Sequence, residues 1–296
     1  MDEAEQRRRG QLRHQIEANP LPSDAREECE QALGYFGKVR PYLIAYVVID
    51  SFYGDLLKLP THLQKAIGSN PQFLHRLMGT AVELHALCDK TVNGFLAAGQ
   101  AFRERILSKG RIGRRDDHPI RKTIDQLEQQ HVYYRLLGQL RHFGLHNDFI
   151  FRTIPVSASL EGGQYTIKLE LEKDDLLGRL GASKRKKVGD TSGIPNPVDF
   201  LDGARVYMEC NRQILSEVLR AESDSFSSAM GFMKALRGGA RGMPVGAIPM
   251  IFREVPQAIV DGTFKRGESV DANVIELPMQ EYRTILAVFP EIDRVS

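Results

Sequence analysis

Residues 119–146 read PIRKTIDQLEQQHVYYRLLGQLRHFGLH, and the spacing of their apolar residues decides the fold class. Ile120, Ile124, Leu127, His131, Tyr134, Leu137 and Leu140 recur at mostly three- and four-residue steps. That period lays side chains along one face of an α-helix. The sequence predicts one helix from near Pro119 through His146.

The same period extends upstream. After Pro71, Leu84, Leu87, Val92, Phe95, Leu96, Phe102 and Ile106 mark a long helical stretch, interrupted at most at Gly79 and closed by Lys109-Gly110. Residues 111–119 read as a polar loop. Residues 23–59 are also helical in pattern, with Ser23-Asp24 as an N-cap and Glu27 and Glu28 where negative charge suits the helix dipole. Pro41 and Pro60 punctuate that region. Residues 1–22 are polar and charged and read as a poorly packed start.

Downstream the texture changes. FIFRTIPVSASL (149–160) and QYTIKLEL (164–171) alternate with period two around Glu161-Gly162-Gly163, which predicts a β-hairpin near 154–172. Residues 173–197 read as a long connection carrying Lys184, Arg185, Lys186 and Lys187. A fourth helix is expected over 197–220. Beyond it come a Gly-rich break at 238–242, short strand-like runs and a final helix near 279–288. The fold class is therefore mainly α, a helical bundle with a small β-hairpin insertion and N- and C-terminal extensions. The expected division is 1–78, 79–221 and 222–296.

The 296 residues suffice for a core without covalent staples. A net charge of +2 leaves no global field to drive the chain onto nucleic acid or membrane, so any such affinity rests on local patches. Cys29, Cys88 and Cys210 are odd in number and widely spaced, matching neither a disulfide framework nor zinc-ligand spacing. They read as thiols in a reducing compartment. The first residues lack an apolar leader, and the apolar run at 42–52, broken by Asp50, is about half the ~20 residues of a membrane span. A cytoplasmic protein with no membrane contact is the expectation.

The chemistry concentrates in residues 133–148, YYRLLGQLRHFGLHND. Arg141 and His146 form Arg-x-x-x-x-His at the end of the predicted helix. A guanidinium presents paired donors to phosphate oxygens, and an imidazole exchanges a proton near neutral pH. On a regular helix the pair is separated by about 7.5 Å of rise and about 140° of turn, so Arg141 has to reach across. The rival reading pairs Arg141 with a carboxylate and leaves His146 as a cation at a helix C-terminus.

The motif resembles the Arg-polar-x-x-x-His signature of the HEPN superfamily, with His142 at the polar position. The stretch NGFLAAGQAFRERI (93–106), the lead-in YYRLLGQL, the following strand pair, the basic linker and the closing helix resemble one prokaryotic branch, over roughly 79–221. In that branch the polar position is more often Asn. The resemblance implies a helical domain that pairs two motifs across a homodimer. It implies a metal-independent endoribonuclease that needs no cofactor, of the toxin or phage-defence kind, with RNA as substrate and an antitoxin or regulatory protein as partner. His146 is then the acid/base group, Arg141 steadies charge on the phosphate and His142 orients the pair, with Asn147 assisting. Other members of the superfamily have lost cleavage and act as binding modules.

Further candidates carry alternatives. Tyr134, with Tyr133, offers a ring to stack on bases, although aromatics at helical spacing ordinarily belong to a core. Lys184 and Arg185, in the basic run, offer contacts to phosphates or simply a solvated linker. His142 and His146, four apart, match metal-ligand spacing with Asp148 as a third ligand, but Phe143 stands where a metalloprotease needs Glu.

Overall fold

The periodic apolar faces fold as helices. The structure is a computed structural model, and it describes residues 23–68, 77–108, 118–144, 150, 156–158, 165–237, 250–254, 273–276 and 279–292. In chain order the elements are α1 (Ser23–Gly68), α2 (Leu77–Leu107), α3 (Pro119–Gln130), α4 (Val132–Gly144), β1 (Val156–Ala158), β2 (Tyr165–Ile167), β3 (Glu170–Leu171), α5 (Lys173–Arg179), α6 (Gly181–Val188), β4 (Val198–Asp199), α7 (Phe200–Arg220), α8 (Ser223–Arg237), β5 (Met250–Glu254), β6 (Asn273–Glu276) and α9 (Met279–Val288). The protein is mainly helical, as the periodicity requires. The hairpin forms by antiparallel pairing of β1 with β2, Val156 opposite Ile167. Two further antiparallel pairs join β3 to β4 and β5 to β6.

Several expectations are corrected. Pro41 and Pro60 do not divide the first helix, because α1 runs unbroken through both. An interior proline removes one backbone hydrogen bond and crowds the preceding turn, at about 3 kcal/mol. Packing outweighs it here: Tyr42, Leu43, Tyr46, Ile49, Leu56, Leu59 and Leu63 are all buried. Similarly, α2 runs from Leu77 without a break at Gly79. Residues 173–197 are not a plain connection, since α5 and α6 occupy much of them. The Gly-rich stretch at 238–242 lies outside the described residues.

The motif helix is two helices. His131 adopts extended backbone between α3 and α4. Its N–H still donates to Leu127 O at 2.9 Å, and its carbonyl accepts from Tyr134 N at 3.0 Å. The break strips carbonyls at the end of α3 of their helical donors. Arg135 replaces those donors. Its guanidinium donates to Glu128 O, to Gln129 O at 3.1 Å and to Val188 O at 2.5 Å. One side chain from the first turn of α4 thereby caps α3 and ties down the end of α6.

The chain divides into two compact units, Met1–Leu43 with Glu222–Ser296, and Ile44–Ala221. In the first, α8 packs on α9. Tyr35 meets Phe226 at 5.9 Å, and ion pairs join Lys38 to Glu222 at 2.8 Å and Arg40 to Glu281 at 2.9 Å. The second unit takes in residues 44–68 of α1, which the sequence reading grouped with the N-terminal extension. It also holds α4, which packs on α2, α3, α6 and α7. Asp199 caps α7, its carboxylate accepting from Leu201 N at 2.8 Å and Asp202 N at 3.1 Å.

The centre of the second unit is Tyr207 of α7, 2% exposed. Its ring lies 5.7 Å from Phe95 of α2 and 5.1 Å from Tyr134 of α4. Gly99 of α2 makes that approach possible, since a Cβ there would stand 2.4 Å from the Tyr207 ring. The three cysteines are buried and unbonded. Burial pushes the thiols of Cys88 and Cys210 up to about 12 and that of Cys29 to about 11. No helix among the described residues is long and apolar enough to cross a membrane.

Gly99→Ala should lower unfolding free energy by about 1–3 kcal/mol in urea titration, because an enclosed ring cannot retreat from the added methyl; the better helix propensity of Ala, about 1 kcal/mol, offsets only part. Alkali should also destabilise the fold. Folding raises the cysteine pKa values from 9.0 to about 11–12 and that of Tyr207 from 10.0 to about 12, so the unfolded chain releases these protons first. Stability from this source is complete below pH 9 and declines as pH climbs toward 12, which melting temperatures across that range will register.

Candidate functional site

Arg141 stands in the last turn of α4 and faces α2. Its Nη1 donates to Glu104 Oε1 at 3.2 Å, and Gln100 Nε2 donates to the same oxygen at 2.8 Å. The side chain of Arg141 is 24% exposed and that of Glu104 60%. Arg141 Nε is buried and has no hydrogen-bond partner among the described residues. Its charge reaches the Tyr207 hydroxyl. Burial pushes that hydroxyl up to about 12, while Arg103 and Arg141 pull it back. Arg141 therefore runs inward along the core and leaves the outer part of its guanidinium accessible beside a carboxylate.

His142 also lies in the last turn of α4, while His146 and Asn147 lie outside the described residues, as does Asp148. Tyr134 is not a stacking platform. It is 1% exposed, enclosed by Tyr207, with the Arg103 guanidinium 5.9 Å from its ring centroid. Its pKa is raised above the ordinary tyrosine value, chiefly by burial. It falls on the apolar face that the spacing marks, and that face is buried. Lys184 and Arg185 sit on α6, not in a linker, and Arg185 is exposed.

A second feature lies on the same two helices, α2 and α4. A cavity of about 400 Å³ is lined by Gln100, Arg103, Glu128, Arg135, Gly138, Gln139 and Lys187. Arg103 pairs with Glu128. Burial opposes the Arg103 charge, but Tyr134 and Glu128 raise its pKa on balance. Arg135 donates to three backbone carbonyls, and the Asp190 carboxylate, held below its usual value chiefly by hydrogen bonds from Ser192, also feels the Arg135 charge. Of the basic run, the residue that lines the cavity is Lys187. The sequence reading missed this cluster. Gln100 and Arg103 on α2, and Arg135, Gly138 and Gln139 on α4, are each at helical three- and four-residue spacing. That signal is visible in the sequence, but it becomes specific only when the two helices are juxtaposed.

Among the described residues there is no group of three His, Cys, Asp or Glu that could hold a metal ion. Comparison with protein-family models, with curated proteins and with solved structures finds no match.

The two arginines of α4 should separate on substitution. Arg135→Met leaves three carbonyls without their donor and should cost about 2–3 kcal/mol. Arg141→Ala loses one solvent-accessible ion pair and should cost about 1 kcal/mol or less. Parallel urea unfolding measures both.

Proposed function

We propose that this chain is a metal-independent endoribonuclease of HEPN type, built as a homodimer and serving as a toxin or phage-defence component. The observation that supports the reading is the setting of Arg141. It is half-buried at the end of α4, its guanidinium is partly accessible, and Gln100, which donates to the same Glu104 oxygen, lines a cavity with three cationic side chains. A guanidinium held this way is suited to the charge that builds on a phosphate during transfer. In the proposed reaction His146 takes the proton from a ribose 2′-OH. The 2′-oxygen bonds to phosphorus, the bond to the 5′-oxygen breaks, and that oxygen leaves with the proton that the imidazolium returns. Arg141 steadies the phosphate oxygens and His142 orients the pair. An antitoxin-like or regulatory partner covering this end of α4 would hold the activity in check.

One observation favours a second reading, a non-catalytic module that binds RNA, a nucleotide or a protein. The Arg141–Glu104 ion pair already occupies one donor of the guanidinium. Under this reading Arg141 anchors a ligand or only the fold.

The purified protein incubated with total RNA and tRNA in excess chelator decides between them. The parent should cleave, and Arg141→Ala and His146→Ala should each lose activity by at least about a hundredfold while unfolding normally. Glu104→Gln, which releases Arg141 from its ion pair, should cleave at least as fast as the parent. Equal cleavage by the parent and His146→Ala sinks the assignment. No cleavage by a folded dimeric parent moves the conclusion to the binding module.

A further inference from the structure

We propose that the cavity between α2, α3, α4 and α6 is a binding site for a phosphate ester, with Lys187 and Gln139 as the contacting groups. Its lining carries three cations, Arg103, Arg135 and Lys187, against one carboxylate, Glu128. That local excess exists in a chain whose overall charge is nearly balanced. Two of the cations are fixed. Arg103 is held by Glu128, and Arg135 by three backbone carbonyls. They supply a preorganised positive field that costs nothing to assemble when a ligand arrives. Lys187 and Gln139 line the same space, and neither has an ion pair or side-chain hydrogen bond among the described residues. They are the donors left for a ligand.

The excess of cations over carboxylates in the lining selects an anion and favours a phosphate over a single carboxylate, although Asp190, outside the lining, offsets part of the Arg135 charge. The volume of about 400 Å³ falls within the ~300–1,000 Å³ usual for small-molecule sites, room for a phosphate and part of the group it esterifies. Gly138 forms part of the wall. A Cβ built on it meets no atom within 4 Å, so the space above it is open and a larger residue there would enter the cavity. The ester is either a free nucleotide or a phosphodiester of an RNA strand. The site shares no residue with the Arg141–His146 pair, so it stands whether or not the chain cleaves RNA.

The test uses the full-length His146→Ala protein, so that RNA stays intact, with calorimetric titration of adenosine monophosphate and of a short single-stranded RNA. At least one probe should bind saturably. Lys187→Glu and Gly138→Leu should each weaken that binding by about tenfold or more, the first by removing a charge-assisted contact and the second by filling the space. Lys186→Glu, on the same helix but outside the cavity, should leave it unchanged. Binding of the monophosphate identifies a free nucleotide as ligand, and binding of RNA alone identifies its backbone. The proposal is overturned if neither probe saturates, if Lys186→Glu weakens binding as much as Lys187→Glu, or if Lys187→Glu binds like the parent. Because Lys187 is exposed, its substitution tests the site even if Gly138→Leu fails to fold.

Discussion

The Tyr207 ring sets the geometry of the unit that carries the candidate site. It is enclosed by Phe95 of α2 and Tyr134 of α4, and it stands against the bare backbone of Gly99. Aromatic pairs at these separations bury large apolar areas and prefer defined relative orientations. The ring therefore fixes how close α2, α4 and α7 can come. Two arginines of the site lie close to this aromatic cluster. Arg103 stacks against Tyr134 on one side, and Arg141 reaches inward close enough to influence the Tyr207 hydroxyl.

The second constraint is the break at His131. A continuous helix from 119 to 144 would have given the last carbonyls of α3 helical donors. With the break, Arg135 turns back to satisfy Glu128 O and Gln129 O and reaches Val188 O on α6. A cation used in this way keeps its charge, because carbonyls are dipoles rather than anions. The same side chain thus closes a helix end, joins three helices and contributes to the positive field of the cavity.

These two constraints bear on function differently. Burial removes Tyr134 from any role in contacting bases, yet gives Arg103 its position. The Arg141–Glu104 pair is partly solvent-accessible, so the ion pair is worth little to stability. The cluster of Lys184, Arg185, Lys186 and Lys187 is not equivalent along its length, because one turn of helix directs Lys187 to the cavity.

The sequence by itself determined the helical class, the hairpin and the terminal helix, because period 3.6 and period 2 are local properties of apolar spacing. Ile120, Ile124, Leu127, Tyr134, Leu137 and Leu140 are all buried, as that spacing requires. The candidate pair Arg141 and His146 was likewise legible as residue types at a spacing. Tertiary structure alone decided the rest. Pro41 and Pro60 sit inside one helix because its buried face outweighs their local cost, a sum over contacts that no short window contains. At the His131 break Arg135 meets carbonyls on two other helices, α3 and α6. The cavity exists only where Gln100 and Arg103 of α2 face Gln139 of α4 and Lys187 of α6. Spacing along a chain reports which residues share a face, and packing determines what that face meets.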